Sequence, residues 1–258
     1  MNRSADRLRA QAIAVAGLPA RVVARCASTN AALLAEKAPG PLLLAAEVQT
    51  AGRGRRGRRW RSAPGTGATF SILCRMRCAP ASLSGLSLAV GVAAARALRA
   101  LGAGAAGVKW PNDLVVGNAK LGGILIQTRS GAGDTVVVVG IGINCRSDPA
   151  LARRLRRRIA ALDDCLQPVP SRNAVIAAVA REVMAALESF ERAGLAPFVA
   201  EWTALHAHQG ERLRVRLCDG RTLWGLAEGI AASGALRLAT ARGVREIASG
   251  RIVQGRLA

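Results

Sequence analysis

Apolar positions change period several times along the chain. Residues 1–20 form a loosely helical lead, and Arg21–Cys26 alternate as a strand does. Ser28, Thr29 and Asn30 offer capping groups ahead of helix formers that run to Ala38, where Pro39 and Gly40 stop the turn. Residues 41–48 are an unbroken apolar run of the kind found in buried strands, and residues 68–76 predict the next strand. From 82 to 102 apolar positions recur over several turns and close on glycine, which predicts a long helix against a core. After a short run at 107–110, Gly117-Asn118 divides residues 113–128 into two arms of a hairpin, and 134–144 is a further strand. Residues 148–169 are arginine-rich and irregular, with one short helix at 149–160. Residues 171–194 form an amphipathic helix capped by Ser171 and ended by Gly194, and 196–207 another.

Beyond His208 short alternating runs are separated by Asp-Gly, Ser-Gly and Arg-Gly turns, which predicts a small all-β barrel. The chain therefore divides into a mixed α+β unit, residues 1–208, and a β unit, residues 209–258. No internal repeat is visible.

Composition alters this picture in two ways. The 258 residues contain no tyrosine and only three phenylalanines and four tryptophans, so Ala, Val and Leu must fill the core. The net charge of +21 is almost all arginine, with Lys37, Lys109 and Lys120 the only lysines. So even a skew marks a composition bias more than a nucleic-acid partner, and it makes each surviving lysine a candidate for a required ammonium. Six cysteines form no Cys-x-x-Cys pair, and the spacing of Cys74 and Cys78 finds no partner pair for zinc; buried thiols in a reducing compartment, the cytoplasm, fit better. The uncharged run Cys78–Ala95 carries Pro80, three serines and two glycines, which suits a buried helix rather than a membrane span. The N-terminus lacks the apolarity of a signal peptide.

Residues 51–61, Ala-Gly-Arg-Gly-Arg-Arg-Gly-Arg-Arg-Trp-Arg, hold six arginines and three glycines. Gly52, Gly54 and Gly57 have dinucleotide-fingerprint spacing, but no helix starts there and no Asp or Glu lies between Glu47 and Asp113, so the fingerprint fails. There is no P-loop either. An RNA-binding segment would repeat Arg-Gly units among stacking aromatics, whereas this run is single and held between two strands. A loop whose backbone N–H groups and guanidinium forks meet a small polyanion remains.

Ser28-Thr29-Asn30, Gln49–Trp60, Lys109–Leu114, Lys120–Leu125 and Gly140–Asn144, in that order and spacing, closely resemble the biotin–protein ligase family. The resemblance runs from about residue 21 to the C-terminus. It implies a catalytic domain of the biotin–lipoyl ligase fold, akin to class II aminoacyl-tRNA synthetases, followed by an SH3-like β-barrel. It also implies two steps: biotin and ATP give biotinyl-5′-AMP and pyrophosphate, and a lysine of a biotin carboxyl carrier domain of acetyl-CoA carboxylase or a related carboxylase then takes the biotin. Both steps develop negative charge on oxygen, which asks for aligned cations and N–H donors rather than a protein nucleophile.

Carried over residue by residue, the resemblance implies that Ser28, Thr29, Asn30 and Gln49 hold biotin, whose neutral urea suits hydroxyls and amides. Gly52, Arg53, Gly54 and Arg55 would close over its carboxylate and the phosphate. Lys120 would contact both reacting groups. Arg55, Arg56, Trp60, Asn112, Lys120 and Asn144 would hold ATP or the adenylate, Trp60 covering it and Asn144 reading adenine. Catalysis would fall to Lys120, Arg53, Arg55 and Asp113, with Asp113 a ligand for Mg²⁺ or a group that orients Lys120.

Two features depart from the family's pattern. Ala27 stands where many relatives have an acid before Ser28. Only 27 residues precede Ser28, too few for a DNA-binding helix-turn-helix domain, which implies a ligase that represses no operon. The family's pairing through its sheet implies a weak homodimer, and nothing implies a membrane partner. The rival readings are a lipoate or octanoate ligase or transferase of related fold, and an arginine-rich nucleic-acid-binding protein.

Overall fold

The computed structural model describes residues 6–38, 40–130, 134–155 and 158–253. After a short α1 (Ala10–Ile13), β1 (Ala20–Cys26) and β2 (Leu42–Gln49) run parallel, joined through α2 (Thr29–Ala35). β3 (Gly67–Met76), β4 (Ala106–Lys109), β5 (Asp113–Val116), β6 (Ala119–Ser130) and β7 (Thr135–Asn144) complete a seven-stranded sheet in the order β1-β2-β3-β7-β6-β5-β4, antiparallel from β2 onward. Gly117, at φ +53°, makes the tight turn between β5 and β6.

One face of this sheet carries the main core. Phe70 and Ile72 of β3 and Val137, Val139, Ile141 and Ile143 of β7 pack there under α3 (Leu86–Ala100) and α5 (Arg172–Ala193). The helix expected over 82–102 divides: Pro80–Leu83 is a 3₁₀ turn, and α3 starts only after Gly85, whose φ of +83° breaks the helix. By length and apolarity Pro80–Ala100 could span a membrane, yet most of α3 is sealed in the core. The opposite face has a smaller core of Leu33, Leu42, Leu44, Leu73, Val136 and Val138 beneath α2.

The short helix expected over 149–160 is α4 (Pro149–Leu155); residues 156–157 lie outside the described set, and Ile159 lies beside Lys120 as an isolated bridge. The helix expected over 196–207 is a 3₁₀ turn followed by α6 (Val199–Leu205). The C-terminal strands β8 (Arg212–Leu217), β9 (Thr222–Ile230), β10 (Leu236–Thr240), β11 (Gly243–Ile247) and β12 (Gly250–Val253) form an antiparallel sheet ordered β11-β10-β9-β8-β12. Among the described residues no rung joins β11 to β12, so the expected barrel is observed as a five-stranded sheet with two ends. Its Leu213, Val215, Leu236 and Leu238 merge with the main core, and the Trp110 indole N–H donates to Gly234 O at 3.1 Å. The two sheets thereby form the walls of one cavity.

Candidate active site

The cavity floor is the half of the sheet's second face that lies beyond α2. Side chains alternate along each strand, so this face receives every other residue. Register pairs Leu73 with Val138, Ser71 with Gly140 and Thr69 with Gly142 across β3 and β7. Across β7 and β6 the same rows continue to Gln127, Leu125 and Gly123. The rows therefore pass from apolar under α2 to hydroxyls and glycines, and the cavity opens over the glycines, with a volume of about 580 Å³.

The glycines are needed because side chains lie flat on them. A methyl group at Gly140 would overlap the Asn30 amide, and one at Gly142 would overlap the Trp60 indole. Gly52 is confined in the same way, with Trp60 O and the Gln49 amide nitrogen 2.7 and 2.8 Å from where its Cβ would lie.

One end of the cavity is neutral. Ser28 caps α2, accepting from Ala31 N, and Gln49 Oε1 accepts from both Thr29 N (2.7 Å) and Thr29 Oγ1 (3.1 Å). The buried Ser71 hydroxyl lies 2.6 Å from both Thr29 Oγ1 and Asn30 Oδ1. Asn30 Nδ2 donates to Leu125 O and Gln127 Oε1. This network of hydroxyls and amides fixes each group's orientation on the cavity wall.

The other end is cationic. Lys120 is ion-paired with Asp113, and its ammonium lies 6.0 Å from the Trp60 ring centroid. Arg53, Arg55, Lys109, Arg158 and Arg251 also line the cavity. Burial pushes the Lys109 ammonium below its ordinary pKa, Lys120 and Arg251 add to that push, and Asp113 opposes it. Burial and then Arg56 lower Arg55, against Asp113 and Cys218. With Asp113 the one carboxylate on the lining among the described residues, this end is built to receive an anion.

The arginine loop is an ordered hairpin. Trp60 N donates to Gly52 O (2.9 Å) and Gly54 N to Arg58 O (2.7 Å), Arg53 and Arg59 form a β-bridge, and the turn closes at Arg56 and Gly57 with positive φ.

The structure brings Ser28, Thr29, Asn30, Gln49, Arg53, Gly54, Arg55, Trp60, Asn112, Asp113 and Lys120 to one cavity. Gly52 lies behind it, on the loop's second side. Two residues are used differently from expectation. Asn144 is absent from the lining, and its Nδ2 donates to Ala160 O (2.9 Å) and Lys120 O (3.3 Å), so it clamps the backbone beneath Lys120. Arg56 reaches the lining, but its guanidinium bonds Cys218 and Ser249 of the C-terminal segment. Asn112 donates to Ile124 O at 2.6 Å, fixing β6 next to the cavity. No group of three or more His, Cys, Asp or Glu that could hold a metal occurs among the described residues, and Asp113 already faces Lys120. Sequence reasoning missed Thr69, Ser71, Lys109, Arg158 and Arg251. Only Lys109 carried a signal, as one of three lysines in an arginine-rich chain.

Residues 22–144 match the biotin/lipoate A/B protein ligase family and residues 208–255 the biotin protein ligase C-terminal domain. The bifunctional ligase/repressor BirA of Escherichia coli is 38% identical over 194 residues, 75% of this chain and 60% of its own length. The chain thus spans less than two thirds of that relative. The biotin–[acetyl-CoA-carboxylase] ligase of Mycobacterium tuberculosis is 34% identical over 225 residues, 84% of this chain and 82% of the relative. Among solved structures, the biotin protein ligase from Aquifex aeolicus in complex with biotin and ATP superposes with a TM-score of 0.76 at 26% identity, covering 91% of this chain and 97% of the other. The matched spans take in all of the cavity's lining residues except Arg158, and the chain belongs to the biotin–protein ligase family.

Proposed function

We propose that the chain is an ATP-dependent biotin–protein ligase. The observation that carries this reading is the polarity of the cavity: a neutral hydrogen-bonding end at Thr29, Asn30 and Gln49, backed by the buried Ser71, and a cationic end at Arg55, Lys109, Lys120 and Arg251. Biotin has the same polarity, with a urea at one end and a carboxylate at the other, and ATP adds phosphate next to that carboxylate. In the first step a carboxylate oxygen attacks the α-phosphorus, the bond to pyrophosphate breaks, and biotinyl-5′-AMP forms. In the second step the amine of a lysine on a biotin carboxyl carrier domain attacks the acyl carbon. The acyl–oxygen bond breaks, AMP leaves, and the amine releases its proton to solvent.

In this scheme Lys120, held by Asp113, and Arg55 stabilise charge on the carboxylate and α-phosphate oxygens. Arg53, Lys109 and Arg251 neutralise the remaining phosphates, and Trp60 closes the chamber above Gly142. The site residues offer no dedicated Mg²⁺ cage, since Asp113 is alone and paired. A Mg²⁺ carried by ATP takes its ligands largely from phosphate and water. The same reading assigns residues 1–208 to catalysis and 209–258 to a C-terminal β domain, and places the enzyme in the cytoplasm.

Biotin-dependent ATP–pyrophosphate exchange tests the assignment. Exchange is expected with biotin and absent with lipoate or octanoate. No exchange with biotin, together with tight salt-sensitive RNA binding, would overturn it.

A further inference from the structure

The arginine loop has one conformational oddity. Among the described residues, Arg56 is the only non-glycine with positive φ, at +55°. This left-handed conformation is unfavourable for a residue with a Cβ and persists where surrounding contacts hold it. Here Arg56 Nη2 donates to Cys218 Sγ and to Ser249 Oγ, each at 2.9 Å, and the Cys218 thiol donates to Ser249 Oγ at 3.2 Å. No other side chain of residues 53–58 hydrogen-bonds outside the loop among the described residues.

The two acceptors sit at the same end of one ladder. Cys218 directly follows β8 and Ser249 directly precedes β12, and Gly250 pairs with Leu217. From Ser249 the chain continues through Gly250, Arg251 and Ile252, all on the cavity lining. One antiparallel pair of strands thus grips the loop's turn and forms part of the cavity wall. Arg55, next to the gripped residue, is half-buried on that lining and lies close enough to Asp113 to feel its charge.

We propose that Arg56 is a positioning residue which latches the arginine loop to the C-terminal sheet, so that Cys218 and Ser249 set how long a bound acyl-adenylate is retained. The latch itself stands on the geometry; its effect on the adenylate rests on the ligase reading. Freed of its two bonds, the turn relaxes from the left-handed conformation, and Arg53 and Arg55 swing away from the cavity with it.

The test uses the full chain and two variants. Arg56→Gly removes the guanidinium while tolerating the left-handed backbone. The double variant Cys218→Ala, Ser249→Ala removes both acceptors and leaves the loop's sequence intact. Two readouts are taken: hydrogen exchange of the loop amides in the free protein, and escape of biotinyl-adenylate in a single turnover without acceptor.

Two lost hydrogen bonds correspond to roughly tenfold faster loop exchange in either variant, with adenylate escape faster by a similar factor. The double variant melts at the parent's temperature. Unchanged loop exchange in the double variant overturns the latch. Faster exchange with unchanged escape overturns its role in retention. If the parent makes no adenylate from biotin and ATP, the ligase reading fails, and exchange alone decides whether the latch exists.

Discussion

Substituting Gly142 by alanine is the sharpest perturbation of the cavity floor. The backbone there needs no positive φ, so alanine introduces a methyl group without backbone strain. That methyl would lie inside the contact distance of the Trp60 indole ring, with Nε1 at 2.8 Å. Overpacking of this kind costs about 1–3 kcal/mol. The rigid side of the contact is β7, hydrogen-bonded on both edges, so Trp60 and the loop give way. The cost therefore appears as lost loop closure, corresponding to a biotinyl-adenylate affinity weaker by about 5- to 150-fold. Stability changes little, because the indole is only partly buried and its departure opens no core cavity.

Calorimetric titration with a non-hydrolysable biotinyl-adenylate analogue, alongside a thermal melt, measures both terms. A double-mutant cycle with Trp60→Ala isolates the contact: with the indole gone, Gly142→Ala has no further effect. Losses that add independently in the double variant would place the methyl's effect on the ligand rather than on Trp60, and the reasoning would fail.

Lys120→Ala leaves Asp113 without its cation and lowers adenylate formation by about 10²–10³-fold in single turnover, with the fold unchanged; a parental rate would remove Lys120 from the chemistry. Arg172 is 2% exposed between Glu47 (2.7 Å) and Asp6 (3.5 Å), whose side chains are 20% and 15% exposed. Arg172→Met removes the cation shared by both carboxylates, leaving each a backbone donor, and destabilises by about 3 kcal/mol, near the low end for broken buried pairs because the acids are partly solvated, or roughly 6 °C in melting temperature. A melt within about a degree of the parent's would show that the triad contributes nothing. His206 is pushed down to about 3, first by burial and then by His208 and Lys109, with Gln209 opposing. Its folded value lies below the unfolded value near 6.5, so its contribution is complete above that pH and is lost as pH falls toward 3. Between about pH 7 and pH 5 this amounts to roughly 2 kcal/mol, which His206→Phe should abolish; equal pH slopes in denaturant titrations of parent and variant would contradict it.

Much of the fold is legible in the local pattern. The Val-rich run of β7 and the Gly117-Asn118 turn each have one good structural solution, and the observed strands follow them within a residue or two. The helix expected over 82–102 failed at its start because periodicity does not register backbone sign: Gly85 reads as one more tolerated glycine until φ shows it to be a break. The barrel's closure was equally illegible, since pairing of its edge strands β11 and β12 depends on twist and register rather than on alternation.

The site divides along a different line. Ser28, Thr29, Asn30 and Gln49 are readable through the resemblance of their motifs, whereas the hydroxyls of Thr69 and Ser71 within β3 are not. Cations are not, because 37 basic residues make any one arginine unremarkable, and Arg158 and Arg251 become part of the cavity only through tertiary placement. Asn144 is placed differently from expectation. A scarce amide at a strand end looks like a ligand group, yet here it holds the carbonyls of Lys120 and Ala160 together. Lys120 N donates to Arg158 O and Ala160 N to Lys120 O, so that backbone is pinned on both sides. Asn144 is thus placed to hold the lysine's backbone from below. Asn144→Asp is nearly isosteric but replaces the donating NH₂ with an acceptor facing two carbonyls. It should slow adenylate formation through a displaced Lys120 while leaving discrimination between ATP and GTP as in the parent. Altered nucleotide preference would instead return Asn144 to the adenine site.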